Sequence, residues 1–356
     1  MATKLLAADD SRWRLFLERA RHDTYHHPEY ARVAGHYEGG EPVAFYADDA
    51  ESALLMPLLV RELPPELGAP REWRDATSPY GYSGPIATPG ADGHTIRCSL
   101  ASLQDVARER SIVSAFIRMN PFCPVTAQAF EQIGTIVNHG PVVYVDLTKS
   151  LDQLWAETRS NHRRNITRLM QLGYSVEMND WSTYPVFREL YRRTMQRRSA
   201  SAFYYFSDEY FDELRVMLGD HLHLCTVRGP EGDIAASGLF MLADGIAEYH
   251  LGGTADDHFA RAPSKLMFDF VRRWAKQIGA SVLNLGGGVG GSAGPLHQFK
   301  TGFSQAQADF HTVRIVFDHE AYQRLVAASR EIRSVEDAPD SFFPAYRRAY
   351  NDGDDA

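Results

Sequence analysis

The residues best suited to chemistry lie in one stretch, NLGGGVGGSAGPLHQFKTGFS at 284–304. An apolar run at 281–285 reads as a strand and empties into a loop carrying Gly286, Gly287, Gly288, Gly290, Gly291 and Gly294. Glycines there let backbone N–H groups approach a ligand with no Cβ in the way. Pro295 suits the first turn of a helix, whose amino-terminal amides and dipole favour negative charge. Lys300 follows about one turn further in, with Phe299 beside it. Strand, glycine loop and lysine-bearing helix are what a site for phosphate or for a developing oxyanion requires. The stretch alone fits a plain glycine loop with a solvated lysine equally well. Two nucleotide motifs fail: there is no GxxxxGK[ST], and a G-x-G-x-x-G placed on Gly286, Gly288 and Gly291 opens no helix and no βαβ unit. Neither ATP nor NAD is supported.

Two basic segments come next. Arg159, His162, Arg163, Arg164 and Arg168 concentrate on one predicted helix, and Arg188, Arg192, Arg193, Arg197 and Arg198 on the next. Positions 159 and 163 share a face, which lets Arg159 and Arg163 grip phosphates together. The alternative is a solvated face, or ion pairs with the 46 acidic residues of the chain. In a chain of net charge −9, these helices are where an RNA acceptor stem or a diphosphate would dock. Asp75, Tyr80 and Tyr82 cluster in a turn-rich segment that suits an acceptor pocket, or that packs a domain interface. His297 lies three residues before Lys300, and a lone histidine on a helix is more often structural. Phe203, Tyr204, Tyr205 and Phe206 read as core before pocket, and nothing is claimed for His26 and His27. No His/Cys metal spacing and no Ser or Cys nucleophile motif occurs, so no metal is expected and direct attack without an acyl-enzyme is the economical mechanism.

These residues need elements to hold them. Helical spacing predicts helices at 11–21 with Ser11 as N-cap, 100–110, 151–172 ended by Gly173, 184–198, 207–218 and 263–278, and onward from 320. Strands are expected at 43–46, 53–60, 112–118, 140–147, 174–178 and 312–317, with an antiparallel meander at 222–228, 234–242 and 245–251. The grammar occurs twice, so the fold class is α/β (α+β), two mixed-sheet units at 1–148 and 149–356, without the strict alternation of a doubly wound sheet. Three cysteines without CxxC spacing, no charged-then-apolar leader and no run of the ~18 apolar residues a membrane span needs make the cytoplasm the expected address.

Taken in order, Arg159-Ser-Asn-His-Arg-Arg-Asn-Ile166, Tyr191-Arg-Arg-Thr-Met-Gln-Arg197, Tyr249-His-Leu-Gly-Gly, Ala262-Pro-Ser-Lys-Leu, Leu285-Gly-Gly-Gly and Phe299-Lys300 resemble the FemABX-like branch of the GNAT superfamily. Its best-known members add amino acids to peptidoglycan precursors from aminoacyl-tRNA. The resemblance implies two tandem GNAT-like domains and places Lys300 near the reacting end of the acyl donor. It gives Arg197, with Arg198 beside it, the phosphates of a nucleotide-linked acceptor. Phe299 and Gly286, Gly287 and Gly288 would line the substrate. Arg159, Arg163 and Arg164 would hold the tRNA or phosphate of the donor.

The chain departs from the family pattern in three places. Ala34 stands where the peptidoglycan enzymes carry a phosphate-binding lysine, and no coiled-coil arm is visible. The Arg-x-x-Gly-x-Gly/Ala turn with which GNAT acetyltransferases hold the CoA pyrophosphate is missing. The resulting expectation is a cofactor-free transfer of an aminoacyl group from aminoacyl-tRNA to an amine of a peptide or small molecule. The rivals are an N-acyltransferase using acyl-CoA or a carrier-protein thioester, and a non-catalytic binding module.

Overall fold

The computed structural model describes residues 2–49, 52–288, 294–333 and 342–348 of the chain. Its elements run β1 (Ala2–Ala7), α1 (Ser11–Leu17), α2 (Pro28–Glu38), β2 (Glu41–Asp49), β3 (Ser52–Glu62), β4 (Arg74–Thr77) and β5 (Ile86–Ala87). There follow α3 (Gly93–Ala101), α4 (Leu103–Glu109), β6 (Ile112–Arg118), β7 (Thr135–Asp146), α5 (Leu151–Glu157), α6 (Ser160–Gln171) and β8 (Ser175–Met178). Then come α7 (Tyr184–Arg197), α8 (Asp208–Leu218), β9 (Leu222–Arg228), β10 (Ile234–Ala243) and β11 (Ile246–Thr254). After these lie α9 (Ser264–Gln277), β12 (Val282–Gly286), α10 (Pro295–Lys300), β13 (Gln307–Val316) and α11 (His319–Arg333).

Two compact units result, and they are not consecutive blocks: one takes residues 1–139 and 309–355, the other 140–308. The boundary expected at 148 moves because β7 pairs with β12 from Val143 to Asp146, which draws it into the second unit. The segment beyond 308 returns to the first unit because β13 pairs antiparallel with β6, Thr312 opposite Arg118. Each unit is a mixed sheet with helices on it, as the α/β (α+β) reading expects.

In the first unit the strand order is β1-β2-β3-β4-β6-β13, with β5 also on β3. β3 is buried along most of its length and reads as a continuous apolar run, SALLMPLLV, because both its faces are covered. Its core gathers Phe45, Met56, Leu58, Leu100, Ile117, Phe130, Val313 and Ile315. The predicted start of α1 shifts by one residue, since Asp10 and not Ser11 caps the helix by accepting from the Arg12 amide. The helix expected at 100–110 is instead the last turn of α3 followed by α4, with Ser102 between them.

In the second unit the order is β7-β12-β11-β10-β9-β8. Leu154, Ile166, Leu169, Phe240, Phe268, Val271, Leu283 and Phe303 form its core, where α5, α6 and α9 pack on one face of the sheet. α7 meets β11 so closely that a Cβ on Gly253 would collide with the Leu190 carbonyl, so this contact requires glycine. The single helix expected over 151–172 is two. Thr158 and Arg159 are extended, and Ser150 caps α5 with a reciprocal bond to Gln153. Gly173 follows α6 at φ 85°, as a residue ending a helix should.

Candidate active site

The second unit contains a fork. β11 and β12 run parallel through Ile246–Val282, Ala247–Leu283 and Glu248–Asn284. Beyond that pair they part, while β11 stays paired with β10 as far as Thr254. Among the described residues the β11 edge from Tyr249 onward therefore has no strand beside it. Thr254 at its end is already engaged, its N–H by the Thr194 hydroxyl at 3.4 Å and its carbonyl by Arg197 at 3.3 Å. An open sheet edge before that point is where an extended ligand can pair. The register with β10 shifts between Leu239 and Phe240, so that His250 is the extra residue of a bulge on β11 itself, at the same level, where it sharpens the local twist.

Lys300 closes this fork. Gly294 is the N-cap of α10, Pro295 its first residue, and Phe299 packs on Phe268 of α9 at 5.8 Å between ring centres. Asn284 bends the loop by accepting the Gly286 amide at 2.8 Å, and Gly286 takes a φ of 77°. That turn presents the Gly287 carbonyl, to which Lys300 Nζ donates at 2.6 Å. Lys300 is only 6 % exposed, and among the described residues no carboxylate pairs with it. Burial, helped by the charge of Arg198, pulls its ammonium down to about 7. A lysine so placed is only part-charged when the site is empty. A developing oxyanion would draw it to full charge, which is differential stabilisation of the kind catalysis needs.

Tyr249 completes the group. Burial pushes its phenol up to about 12, against the opposing charge of Arg198. Its hydroxyl occupies the space a Cβ on Gly252 would need, 2.5 Å away, so Gly252 keeps a protic group at the open edge. Arg198, just past α7, is exposed and has no ion pair among the described residues. The structure thus gathers Lys300, Phe299, Gly286, Gly287 and Arg198 from the sequence candidates. Gly288 adjoins them, and Gly290 and Gly291 lie outside the described residues.

The other arginines differ in how they are used. Arg197 pairs with Asp256, reaches the Thr254 carbonyl at 3.3 Å and lies over the Phe259 ring at 4.5 Å. Arg159 turns its guanidinium to the Gln298 carbonyl and the Thr301 hydroxyl, both at 3.3 Å, bracing α10. Arg163 does not pair with Arg159 around a common ligand. Its Nη1 donates to the carbonyls of Trp155, Ala156 and Thr158 at 3.2, 2.7 and 2.8 Å, which satisfies the end of α5. Arg272 helps there from α9, bonding the Leu154 carbonyl at 3.1 Å and the Thr158 hydroxyl at 2.6 Å while paired with Asp269. Arg164 and Arg168 remain exposed, without an ion pair among the described residues. Between α6 and α10, His162 bonds the Phe299 carbonyl at 3.0 Å, and burial brings its imidazole down to about 4.

Asp75, Tyr80 and Tyr82 belong to the first unit. Asp75 is fully buried and holds Arg61 at 2.9 Å, Tyr346 at 3.1 Å and both edges of Arg347. All its lone pairs are engaged, so it has the bonding of a structural anchor. The Tyr80 amide donates to Glu38 at 2.8 Å, and the Tyr82 carbonyl accepts from Asn120 at 3.0 Å. Ala34 is buried in α2. His26, which carried no role in the sequence reading, sits fully buried beside Asp23 at 2.8 Å and binds the Gly84 carbonyl at 3.1 Å. His297 lies partly buried on α10, and Phe206 stacks on Tyr210 at 4.3 Å as a core aromatic would.

Three residues of the fork escaped the sequence reading: Glu248, Asn284 and, except as part of a family motif, Tyr249. The signal was there, an acid and an amide each set in an otherwise apolar central strand. Nothing in the sequence shows, however, that they stand opposite each other. Among the described residues no cluster of metal-ligating side chains occurs, and no helix is long and apolar enough to cross a membrane.

The parallel pair thus splays beside a glycine turn and a short helix. Residues 156–301 match the family described as acetyltransferase (GNAT) domain. The chain as a whole has the fold of FemX, with a TM-score of 0.69 at 13% identity, over 91% of this chain and 99% of that one. It is also similar to L-PGS from Bacillus licheniformis, TM-score 0.58 at 13% identity, over 91% and 97%. A third likeness is to the C-terminal domain (DUF2156) of a protein assigned as a lysylphosphatidylglycerol synthetase in Agrobacterium fabrum. There the TM-score is 0.55 at 15% identity, over 90% and 95%. Among curated proteins none matches the sequence. The FemABX-like GNAT resemblance drawn from the sequence is met in the fold.

Proposed function

We propose that this chain is an acyltransferase that moves an aminoacyl group from aminoacyl-tRNA to an amine of a peptide or small-molecule acceptor. The observation that carries the reading is Lys300, buried without an acid partner among the described residues and bonded to the glycine-turn carbonyl where the two strands part. In the step, the amine lone pair attacks the ester carbonyl carbon and the carbon–oxygen π pair moves onto oxygen. Collapse then breaks the bond to the ribose oxygen, which leaves with the proton the amine gives up. Lys300 faces the charge that builds on oxygen. Arg164 and Arg168, exposed on α6, together with Arg198 supply cations for the phosphates of the donor. The ester is already activated, so this reading asks for no ATP, metal or other cofactor. The name of the Agrobacterium fabrum relative specifies a lysyl-bearing compound, which agrees with aminoacyl chemistry.

A second reading is transfer from acyl-CoA or a carrier-protein thioester, favoured by the acetyltransferase description of the family matched at 156–301. The absence of the CoA pyrophosphate turn before α9 weighs against CoA. The deciding experiment offers the purified protein bulk tRNA charged with labelled amino acids and, separately, acetyl- and longer acyl-CoA. Salt-sensitive binding of charged tRNA with label passed to an added amine supports the first reading. CoA binding without affinity for tRNA replaces it with the second.

A further inference from the structure

At the point of the fork stand two buried polar side chains that the reading above does not use. Glu248 is 1 % exposed and Asn284 fully buried, and they are register partners on β11 and β12. Register partners on neighbouring strands project to the same face, with backbones about 4.8 Å apart. Asn284 commits its Oδ1 to the Gly286 amide, and among the described residues its Nδ2 has no hydrogen-bond partner. An unpaired buried amide donor is costly to keep, so it marks a place where an acceptor atom belongs. Gly286 and Gly287 follow in the same turn, and the Gly287 carbonyl is the one that Lys300 holds.

We infer that Glu248 and Asn284 read the transferred group as an α-amino acid. The carboxylate of Glu248 takes its α-ammonium, and the Nδ2 of Asn284 donates to its carbonyl oxygen. In an α-aminoacyl ester those two atoms are three bonds apart, close enough to meet an acid and an amide on adjacent strands. A neutral acyl group offers only the carbonyl and brings no cation for the acid. The inference rests on the aminoacyl reading above and narrows it, making these two residues determinants of donor specificity and not of rate.

The test uses the full-length protein and stable mimics of the charged tRNA end. These are 3′-amino-3′-deoxyadenosine acylated with alanyl or phenylalanyl, and the matched lactyl or phenyllactyl compounds that carry hydroxyl in place of ammonium. Calorimetry on the unaltered protein should give about tenfold or tighter binding of the amino compound within a pair. Glu248→Gln, which keeps shape and removes charge, should erase that preference and leave the hydroxy compounds bound as before. Asn284→Ser should weaken both members of a pair equally. Equal binding within each pair by the unaltered protein, or a preference that survives in E248Q, overturns the inference while leaving the aminoacyl reading in place. If neither member binds, and charged tRNA is also ignored, both readings fall together.

Discussion

Two buried charges, one in each unit, were both singled out in the sequence as site residues, and the structure treats them in opposite ways. Asp75 meets two guanidiniums and a phenol, and is anchored on every side. Among the described residues Lys300 meets one neutral carbonyl and a second cation nearby, and burial draws it down to about 7. A charge that is fully partnered holds the protein together. A charge left short of a partner keeps its interaction in reserve for something that arrives. The comparison separates stability from function more sharply than residue type does, and it can be tested from both ends.

The largest effect should come from breaking the satisfied centre. Asp75→Asn leaves Arg61 and Arg347 facing a neutral amide in a buried setting, at a cost of about 3–5 kcal/mol, read as a fall in the urea midpoint. Lys300→Ala should do the reverse. It should lower the transfer rate by roughly 10²–10³ while leaving the fold in place, and activity within about threefold of the original would remove Lys300 from the transition state. Lys300→Met sharpens the contrast, because filling the site with an apolar chain should raise stability at neutral pH by about 1–3 kcal/mol.

The sign of that gain with pH is fixed by the depressed lysine. Above about pH 7 the folded form sheds the proton that the unfolded chain keeps up to its ordinary value of 10.5. Stability of the unaltered protein therefore rises with pH through this window, and the advantage of K300M shrinks with it. In the same range kcat/KM should decline above about pH 7 as the free enzyme loses the charged lysine, and a profile that climbs there instead would make Lys300 a base. The smallest effects should divide the arginines of α6. Arg163→Gln, which removes the guanidinium donor from the Trp155, Ala156 and Thr158 carbonyls, should cost about 1–2 kcal/mol of stability. Arg164→Gln and Arg168→Gln should leave stability unchanged and each reduce the salt dependence of tRNA binding by about one ion.

Much of the scaffold was legible because it rests on local rules. The strand at Ile112–Arg118, the meander and the Ser207 cap of α8 follow from apolar period and cap chemistry. So do Pro295 at the start of α10 and Lys300 at its end. The break between α5 and α6 was not legible. It depends on where the Arg163 and Arg272 guanidiniums go, and one of them comes from a helix more than a hundred residues away. For the same reason helical spacing suggested a phosphate grip for Arg163, while its actual partners are backbone carbonyls. Asp75 was equally opaque, since Arg347 lies 272 positions along the chain. Glu248 and Asn284 show the limit most plainly, because sequence gives residue types but strand register sets which two face each other.

The return of β13 to the first sheet makes residues 140–308 an insertion within the first unit. During synthesis the β6 edge that β13 will cover must wait, unpaired, while the whole second unit is made. At roughly 5–20 residues per second that wait lasts on the order of ten seconds or more. An exposed edge over such a time invites pairing with other nascent chains. The second unit, contiguous in sequence, can fold in the meantime and bring its two ends together, shortening the loop that β13 must close. The order of assembly is thus written into the connectivity, with the inserted unit formed first and the sheet of the first unit sealed after it.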